Sequence, residues 1–573
     1  MKKTVLSALL MLTVMSLDAQ HSSLRTYGDA VQLMVDGNPF IVLGGELGNS
    51  SASCAEDIES NFSKLHEMGL NTVLVPAYWD LLEPVEGQFD FSLTDKVLEE
   101  ARKNDLKVVF LWFGAWKNSM SCYAPLWFKQ DYKKYPRAYT ADGKPLEIAS
   151  AFSENVFKAD NAAFKAWLGH IADADRDHGT VIMVQIENEI GMLEDARDHS
   201  KIADRHFKSP VPEELMSYLQ DHRDALHPYM SEKWAANGNR IKGTWTEVFG
   251  DDIYTDEIFM AWFYARYVEK MAQSAREIYD VPLFVNAAMN SRGRMPGEYP
   301  SAGPLAHLID IWHAGAPSID FISPDIYDNG FKDWVAKYHL HNNPLFIPET
   351  RHMQNNGVRA FYVLGEHDAI GISPFAIEDS SAEQGTPFVE GYEKLREMMP
   401  LITAWQGQDR MWGLLFDQQD KERVIRDGNL VMTCRHNFTL PWDPRATDGS
   451  EWPEGGGIII RLNDYEYVVA GNGIVVEFNT ASEMQNADQA QALGEDGFAA
   501  SGASGNRQSA AKPAARNAYS RCGIGSVDEV SVLPDGSFRY IRRLNGDQDH
   551  QGRHVRISVG DYKVLHVKLY EYR

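Results

Sequence analysis

The sequence predicts an α/β fold, a (β/α)8 TIM barrel, followed by a C-terminal antiparallel β-sandwich, and three observations predict it. Short apolar runs rich in β-branched residues recur eight times between residues 39 and 377, each followed by helical or loop sequence. No glycine-rich phosphate loop follows the first run, which argues against a doubly wound sheet. After a helix near Glu390–Trp405 the texture changes to short alternating runs, with turns marked by Asp427-Gly428, Asn472-Gly473 and Asp535-Gly536.

The chain of 573 residues is too long for one domain, and 44% apolar with 24% charged residues is ordinary globular composition. A formal net charge of −26 repels phosphate backbones and argues against a nucleic-acid partner. Lys2 and Lys3 precede an apolar run from Val5 to Leu17, with Ala19 before Gln20. Residues 1–20 therefore read as a cleavable signal peptide, and the expectation is a secreted or periplasmic soluble protein. No later segment approaches membrane-spanning length, so no integral membrane segment is expected. The cysteines (Cys54, Cys122, Cys434 and Cys522) match no zinc spacing; Cys54 and Cys122 follow strand ends on one rim, where a disulfide or free thiols are both open readings.

The catalytic barrel is assigned to residues 21–385. Its first strand is Pro39–Glu46. Ile58, Phe62, Leu65 and Met68 then mark an amphipathic helix ending at Gly69. The second strand, Asn71–Pro76, leads into Tyr78-Trp79. Ser92 and Asp95 read as a capping signature for the next helix. Leu106–Phe113 is the third strand. The fourth begins at Val181 and ends in Glu187-Asn188-Glu189. A charged and aromatic stretch from about 192 to 250 reads as an insertion over the active face. Strands then recur at Leu283–Ala288, Ile319–Ile326, Leu345–Glu349 and Ile370–Ile377. Residues 386–573 form the β-sandwich, with an Ala-, Gly-, Ser- and Gln-rich flexible loop at about 481–518.

Two apolar strands of one barrel, the fourth and the seventh, end in acid, at Glu189 and Glu349. Carboxyl ends of barrel strands are where such folds do chemistry, and an unpaired buried carboxylate is costly unless it has work to do. Two carboxyls facing each other across the mouth suit hydrolysis of a glycosidic bond, one protonating the leaving oxygen and one attacking carbon or activating water. Tyr327, ending the sixth strand, is placed to hydrogen-bond Glu349. Glu187 reads as an ion-paired neighbour of the site. His339 and His341 precede the seventh strand on the opposite face, so a loop role is favoured over a metal pair. Asn49, Asn61 and Asn437 fit a short glycosylation pattern.

Gln185-Ile186-Glu187-Asn188-Glu189-Ile190-Gly191 resembles the acid/base motif of glycoside hydrolase family 35, the retaining β-galactosidases. Gly69-Leu70-Asn71-Thr72, Trp79, Glu83-Pro84 and Gly87-Gln88-Phe89-Asp90-Phe91 resemble that family's second-strand region. The resemblance covers about residues 30–380, and the β domain resembles that of a bacterial branch. It implies Glu189 as acid/base, Glu349 as nucleophile and Asn188 on the sugar 2-hydroxyl. Tyr78 and Trp79 join it as candidate sugar-binding residues. Ile190 stands where the family has an aromatic. The first and third strands also lack its usual galactose-gripping residues, so Glu46, Trp116 and Asn118 are the candidate substitutes. The implied activity is exo-acting release of terminal β-galactose from a glycan, with no cofactor or metal needed. The same chemistry on a glucoside, xyloside or glucosaminide is an alternative, as is a non-catalytic glycan-binding protein.

Overall fold

The computed structural model describes residues 21–290, 293–380, 382–485, 519–544, 552 and 554–573. The expected signal peptide and most of the expected flexible loop lie outside the described residues; of that loop, Ala481–Gln485 forms a short helix.

The chain begins with a three-stranded antiparallel sheet of β1 (Ser22–Tyr27), β2 (Ala30–Val35) and β3 (Asn38–Phe40). The expected first strand is therefore split: its start belongs to this sheet and only β4 (Val42–Glu46) enters the barrel. Asp36 and Gly37, both at positive φ, make the β2–β3 turn. Asp36 meets Lys107 Nζ at 3.1 Å at the start of a barrel strand. The small sheet thus braces the end of the barrel away from the strand tips, the end that serves stability in this architecture.

Strands β5 (Thr72–Tyr78) and β6 (Lys107–Phe113) follow. A hairpin of β7 (Arg137–Tyr139) and β8 (Pro145–Ala149) comes next, then β9 (Val181–Gln185), β10 (Leu283–Ala288), β11 (Phe321–Ile326), β12 (Phe346–Thr350) and β13 (Gly371–Pro374). Eight of these, β4, β5, β6 and β9 to β13, close in sequence order into a parallel barrel. At the seam Gly371 pairs with Val42 so closely that a Cβ would sit 2.3 Å from the Val42 carbonyl oxygen, and only glycine fits. The helix Ser92–Lys103 is not capped by Ser92, which is already helical; its amide instead donates to Asp90 Oδ1 at 2.9 Å. The 192–250 region carries helices Lys201–Phe207, Glu213–Asp221, Pro228–Ala236 and Trp245–Phe249 on the strand-tip side. Cys54, Cys122, Cys434 and Cys522 are all free thiols, so the Cys54–Cys122 disulfide does not form.

Helix Ala382–Trp405 runs through the expected boundary at residue 385 into the β region. Two sheets follow. The larger contains β14 (Met411–Phe416), β17 (Gly455–Asn463), β18 (Glu466–Asn472), β20 (Arg521–Val532), β21 (Phe538–Arg543) and β23 (Lys563–Tyr572). The smaller contains β15 (Glu422–Asp427), β16 (Leu430–His436), β19 (Ile474–Thr480) and β22 (Val555–Ile557). Strand periodicity splits β17 between two cores. Ile459 points between the sheets, whereas Ile458 and Ile460 belong to the barrel's apolar core. The helix Asn356–His367, which follows the Glu349 strand, lies on that outer face. Gly413 lets it approach: a Cβ there would stand 2.3 Å from the Tyr362 carbonyl oxygen. Arg359 binds Glu454 and Arg423 binds Glu366 across the same seam.

Candidate active site

The regular strand β9 ends at Gln185, four residues before Glu189, and the chain then coils. Glu187 and Glu189 adopt φ of 57° and 46°, and in the loop after β6 Asn118 and Ser119 adopt 49° and 68°. Left-handed conformations cost non-glycine residues roughly 1–3 kcal/mol each, so the surroundings must hold them. The two loops hold each other. Asn118 N–H donates to the Asn188 carbonyl at 3.2 Å, and Ser119 N–H to the Glu189 carbonyl at 3.1 Å. Asn188 N–H returns to the Trp116 carbonyl at 3.3 Å. Glu189 N–H is fixed by Asn286 Oδ1 at 2.9 Å, from β10.

This coiling delivers Glu189 to the mouth beside Asp325 of β11 and Glu349 of β12, all three buried. One carboxylate oxygen from each lies within 4.8 Å of the others. Glu349 accepts a hydrogen bond from the Tyr327 hydroxyl, and Glu189 accepts one from the Asn118 amide. Asn286 Nδ2 donates to Asp325 Oδ2 at 2.7 Å. Glu46, at the tip of β4, is buried alongside. Lys117, also buried, faces these carboxylates as a compensating cation. Three carboxylate oxygens this close also suit a divalent cation by spacing and hardness, with Lys117 already supplying positive charge there.

Electrostatics divides the acids. Burial, then the Glu349 charge, pushes Glu46 well above the carboxylate range, and the same two causes hold Asp325 up. Both hold their protons more tightly than an ordinary carboxyl, and for Asp325 the nearby Glu189 and Glu46 charges add to the effect. Burial and the Glu189 charge push Glu349 up to about 7, against Lys117 and the Tyr327 hydrogen bond, which pull it down. Burial works against the Lys117 ammonium, but Glu349, Glu189, Glu46 and Asp325 outweigh it and raise its proton affinity. Burial and Glu349 keep the Tyr327 hydroxyl protonated, and so a donor.

Several polar atoms here have no partner among the described residues: both side-chain atoms of Asn188, Glu46 Oε1, Asp325 Oδ1 and Glu349 Oε2. Buried polar atoms in folded proteins are almost always hydrogen-bonded. This concentration marks a place prepared for a ligand rich in hydroxyl groups.

Of the residues expected to bind sugar, Asn188, Tyr327, Glu46 and Asn118 meet around the two glutamates. The aromatics do not offer a face. The Trp116 ring is fully buried edge-on to Tyr264 and Tyr267 at 5.5 and 4.8 Å. Trp79 is fully buried against Trp127 and Phe128, its Nε1 donating to Glu83 Oε2 at 2.8 Å. Tyr78 packs on Phe113 and Tyr123, its hydroxyl accepting from Ala52 N–H at 3.3 Å. They build the wall because aromatics at these strand tips point between barrel and helices. Among the described residues no cation pairs with Glu187: its Oε2 accepts from Trp116 N–H at 2.8 Å, and burial, then the neighbouring Asp160 charge, holds its carboxyl well above the usual range. Its left-handed backbone turns it behind the loop it supports. His339 hydrogen-bonds His367 at 3.0 Å. Lys117, Asp325 and Asn286 escaped sequence reasoning. Asp325, an acid near the end of an apolar strand, carried the same signal as Glu349, and Asn286 was a lone amide in an apolar run; nothing local marked Lys117.

Fold and paired carboxylates together define the class of site found in barrel glycoside hydrolases. Residues 50–253 match the sequence model of glycoside hydrolase family 42, described as beta-galactosidase, and residues 388–556 match a domain of unknown function, DUF5597. This corrects the resemblance to family 35. The chain is similar to a curated beta-galactosidase of Xanthomonas manihotis, 28% identical over 219 residues, 36% of this chain and 33% of that protein. Among solved structures it is similar to beta-galactosidases from the psychrophilic Marinomonas ef1 (TM-score 0.44, 12% identity, 63% of this chain and 60% of that one) and from Halorubrum lacusprofundi (0.42, 16%, 62% and 58%). The chain thus spans about a third of the curated relative's length.

Proposed function

We propose that the protein is an exported, retaining exo-β-galactosidase acting on galactose-terminated glycans. The single observation that carries the reading is the spacing of Glu189 and Glu349, with carboxylate oxygens within 4.8 Å. Retaining enzymes hold their carboxyls roughly 5–5.5 Å apart, whereas inverting ones leave about 6.5–9.5 Å for a water. In the first step Glu189 gives its proton to the glycosidic oxygen as Glu349 attacks the anomeric carbon. The carbon–oxygen bond breaks, the leaving group departs neutral and a glycosyl ester forms on Glu349. Glu189, now ionised, then takes a proton from water, whose oxygen displaces Glu349 and releases the sugar. The Lys117 charge and the Tyr327 hydroxyl favour the ionised nucleophile, and Asn188 is free to hold a sugar hydroxyl that binds more tightly in the transition state. The similarity to beta-galactosidases supports galactose as the sugar. The basic and apolar run of residues 1–20 supports export.

A panel of aryl β-glycosides tests the sugar, and proton NMR of the first-released anomer tests the stereochemistry. The reading expects preference for the galactoside, β-galactose appearing first, and turnover abolished in Glu349→Gly. Release of the α-anomer first, or undiminished turnover in that variant, overturns it.

A further inference from the structure

We propose that the C-terminal β domain is a working part of the active site, and that its Glu454 positions the half of the mouth that carries Glu349. The inference rests on the hydrolase reading of that mouth, and it gives a task to a region matched only to a domain of unknown function.

The β domain grips the two segments that leave β11 and β12, the strands that lead into Tyr327 and carry Glu349. Lys332, five residues past Tyr327, binds Asp420 and donates to the Leu415 carbonyl at 3.1 Å. Tyr562 stacks on Phe361 of the helix after β12, their ring centroids 6.0 Å apart. Gly357 admits that ring, since a Cβ there would stand 2.4 Å from the Tyr562 hydroxyl.

Within this grip one carboxylate reaches both segments. Glu454 accepts from Asn355 Nδ2 at 2.5 Å, six residues past Glu349, and from Arg359 Nε and Nη2 at 2.7 and 2.8 Å. The Arg359 guanidinium in turn lies over the ring of Phe331, four residues past Tyr327, at 4.7 Å from its centroid. Paired charge-assisted bonds hold an arginine in one orientation, so Glu454 sets where the two segments stand relative to each other. The side chains of Arg359 and Glu454 are only 11% and 18% exposed, so water competes little for the pair.

A braced loop joins Glu454 to the reacting carboxyl. Asn356 Nδ2 donates to the Arg351 carbonyl at 3.1 Å. Arg351 N–H donates to the Ile326 carbonyl at 3.2 Å, and its Nη2 to the Tyr327 carbonyl at 2.7 Å. Tyr327 completes the path with its hydroxyl on Glu349. Small misplacements of a reacting group, of about 1 Å, cost up to about 10²-fold in rate even when the cause lies far from the chemistry. Glu454 touches no reacting atom and is a positioning residue.

The test is a double-mutant cycle on the full-length protein, with Glu454→Gln and Tyr327→Phe made singly and together. The readout is kcat/KM for dinitrophenyl β-galactoside, whose leaving group needs no proton and which therefore reports attack by Glu349. Thermal unfolding curves place each assay well below its transition, so that loss of folded protein does not enter the rates. Glu454→Gln should lower kcat/KM about tenfold in the wild-type background but less than about twofold in Tyr327→Phe, where the contact it maintains is already gone. Asn355→Ala leaves the Arg359–Glu454 pair intact and should show the same pattern with a loss of about fivefold; it decides alone if Glu454→Gln does not fold. Equal losses in the two backgrounds, or unchanged rates in the wild-type background, make the contact purely structural and overturn the proposal. Wild-type turnover of the galactoside then still keeps the hydrolase reading, whereas a wild type that does not turn it over removes both.

Discussion

Replacing Glu349 by Gln should stabilise the protein, and only at higher pH. The fold raises the proton affinity of this carboxyl, from 4.5 to about 7, because burial and the neighbouring Glu189 penalise its charge. A group whose folded pKa is raised destabilises the fold wherever it ionises. Below about pH 4.5 it is protonated in both states and costs nothing. Between there and about 7 the cost grows, and above 7 it is complete. At about 1.4 kcal/mol per tenfold change in affinity, the full cost is roughly 3 kcal/mol. Glutamine keeps the shape and a carbonyl to accept from Tyr327, and never ionises. Urea unfolding followed by tryptophan fluorescence, run on both proteins from pH 4.5 to 8, should show curves that nearly coincide at pH 4.5. At pH 8 the variant should be more stable by about that amount. A gap that does not change with pH, or a variant less stable at pH 8, would refute the placement of this charge in a dry site between acids.

Three further outcomes follow from the same geometry. Glu189→Ala should cut kcat/KM for an alkyl galactoside by roughly 10²–10⁴ but affect a dinitrophenyl galactoside far less, because that leaving group needs no proton; equal losses on both would contradict its role as acid. Lys117→Met should move the acid limb of the kcat/KM profile upward by about one pH unit or more, because Lys117 lowers the Glu349 pKa; an unmoved limb would remove the lysine from the site's electrostatics. Asn188→Ala should lose about 10²-fold in kcat/KM while thermal stability holds, since neither side-chain polar atom has a partner among the described residues to lose; a large drop in stability would make it structural.

The barrel was legible because each strand is a short, nearly unbroken apolar run, and the two glutamates that meet at its mouth because both runs end in acid. The β1–β3 sheet was not, because its strands are short and its Asp36-Gly37 turn is an isolated cue. What escaped at the site depends on distance in sequence. Lys117 acquires meaning only beside Glu46, Glu189, Asp325 and Glu349, which arrive on three other strands and one loop. Trp116, Trp79 and Tyr78 looked like sugar platforms, yet each has its ring occupied by neighbouring rings, a fact of packing that no local pattern carries. Glu187 followed the alternation rule only as far as the strand went, and its positive φ ended the rule. The flanks that pointed to family 35 have local tasks: Gln185 Nε2 donates to the Glu187 carbonyl at 3.1 Å, and Gly191 admits the Pro300–Ser301 backbone. Residues that fold the turn serve any barrel with this turn, so they separate families poorly.

The pairing of Glu189 with Glu349 is tested most directly by covalent trapping. Incubation with an activated 2-deoxy-2-fluoro-β-galactoside, followed by proteolysis and mass spectrometry, should find one fluorosugar per chain, esterified to the peptide at Glu349. An adduct on any other side chain, or steady hydrolysis with no adduct and inversion at the anomeric carbon, would contradict the account.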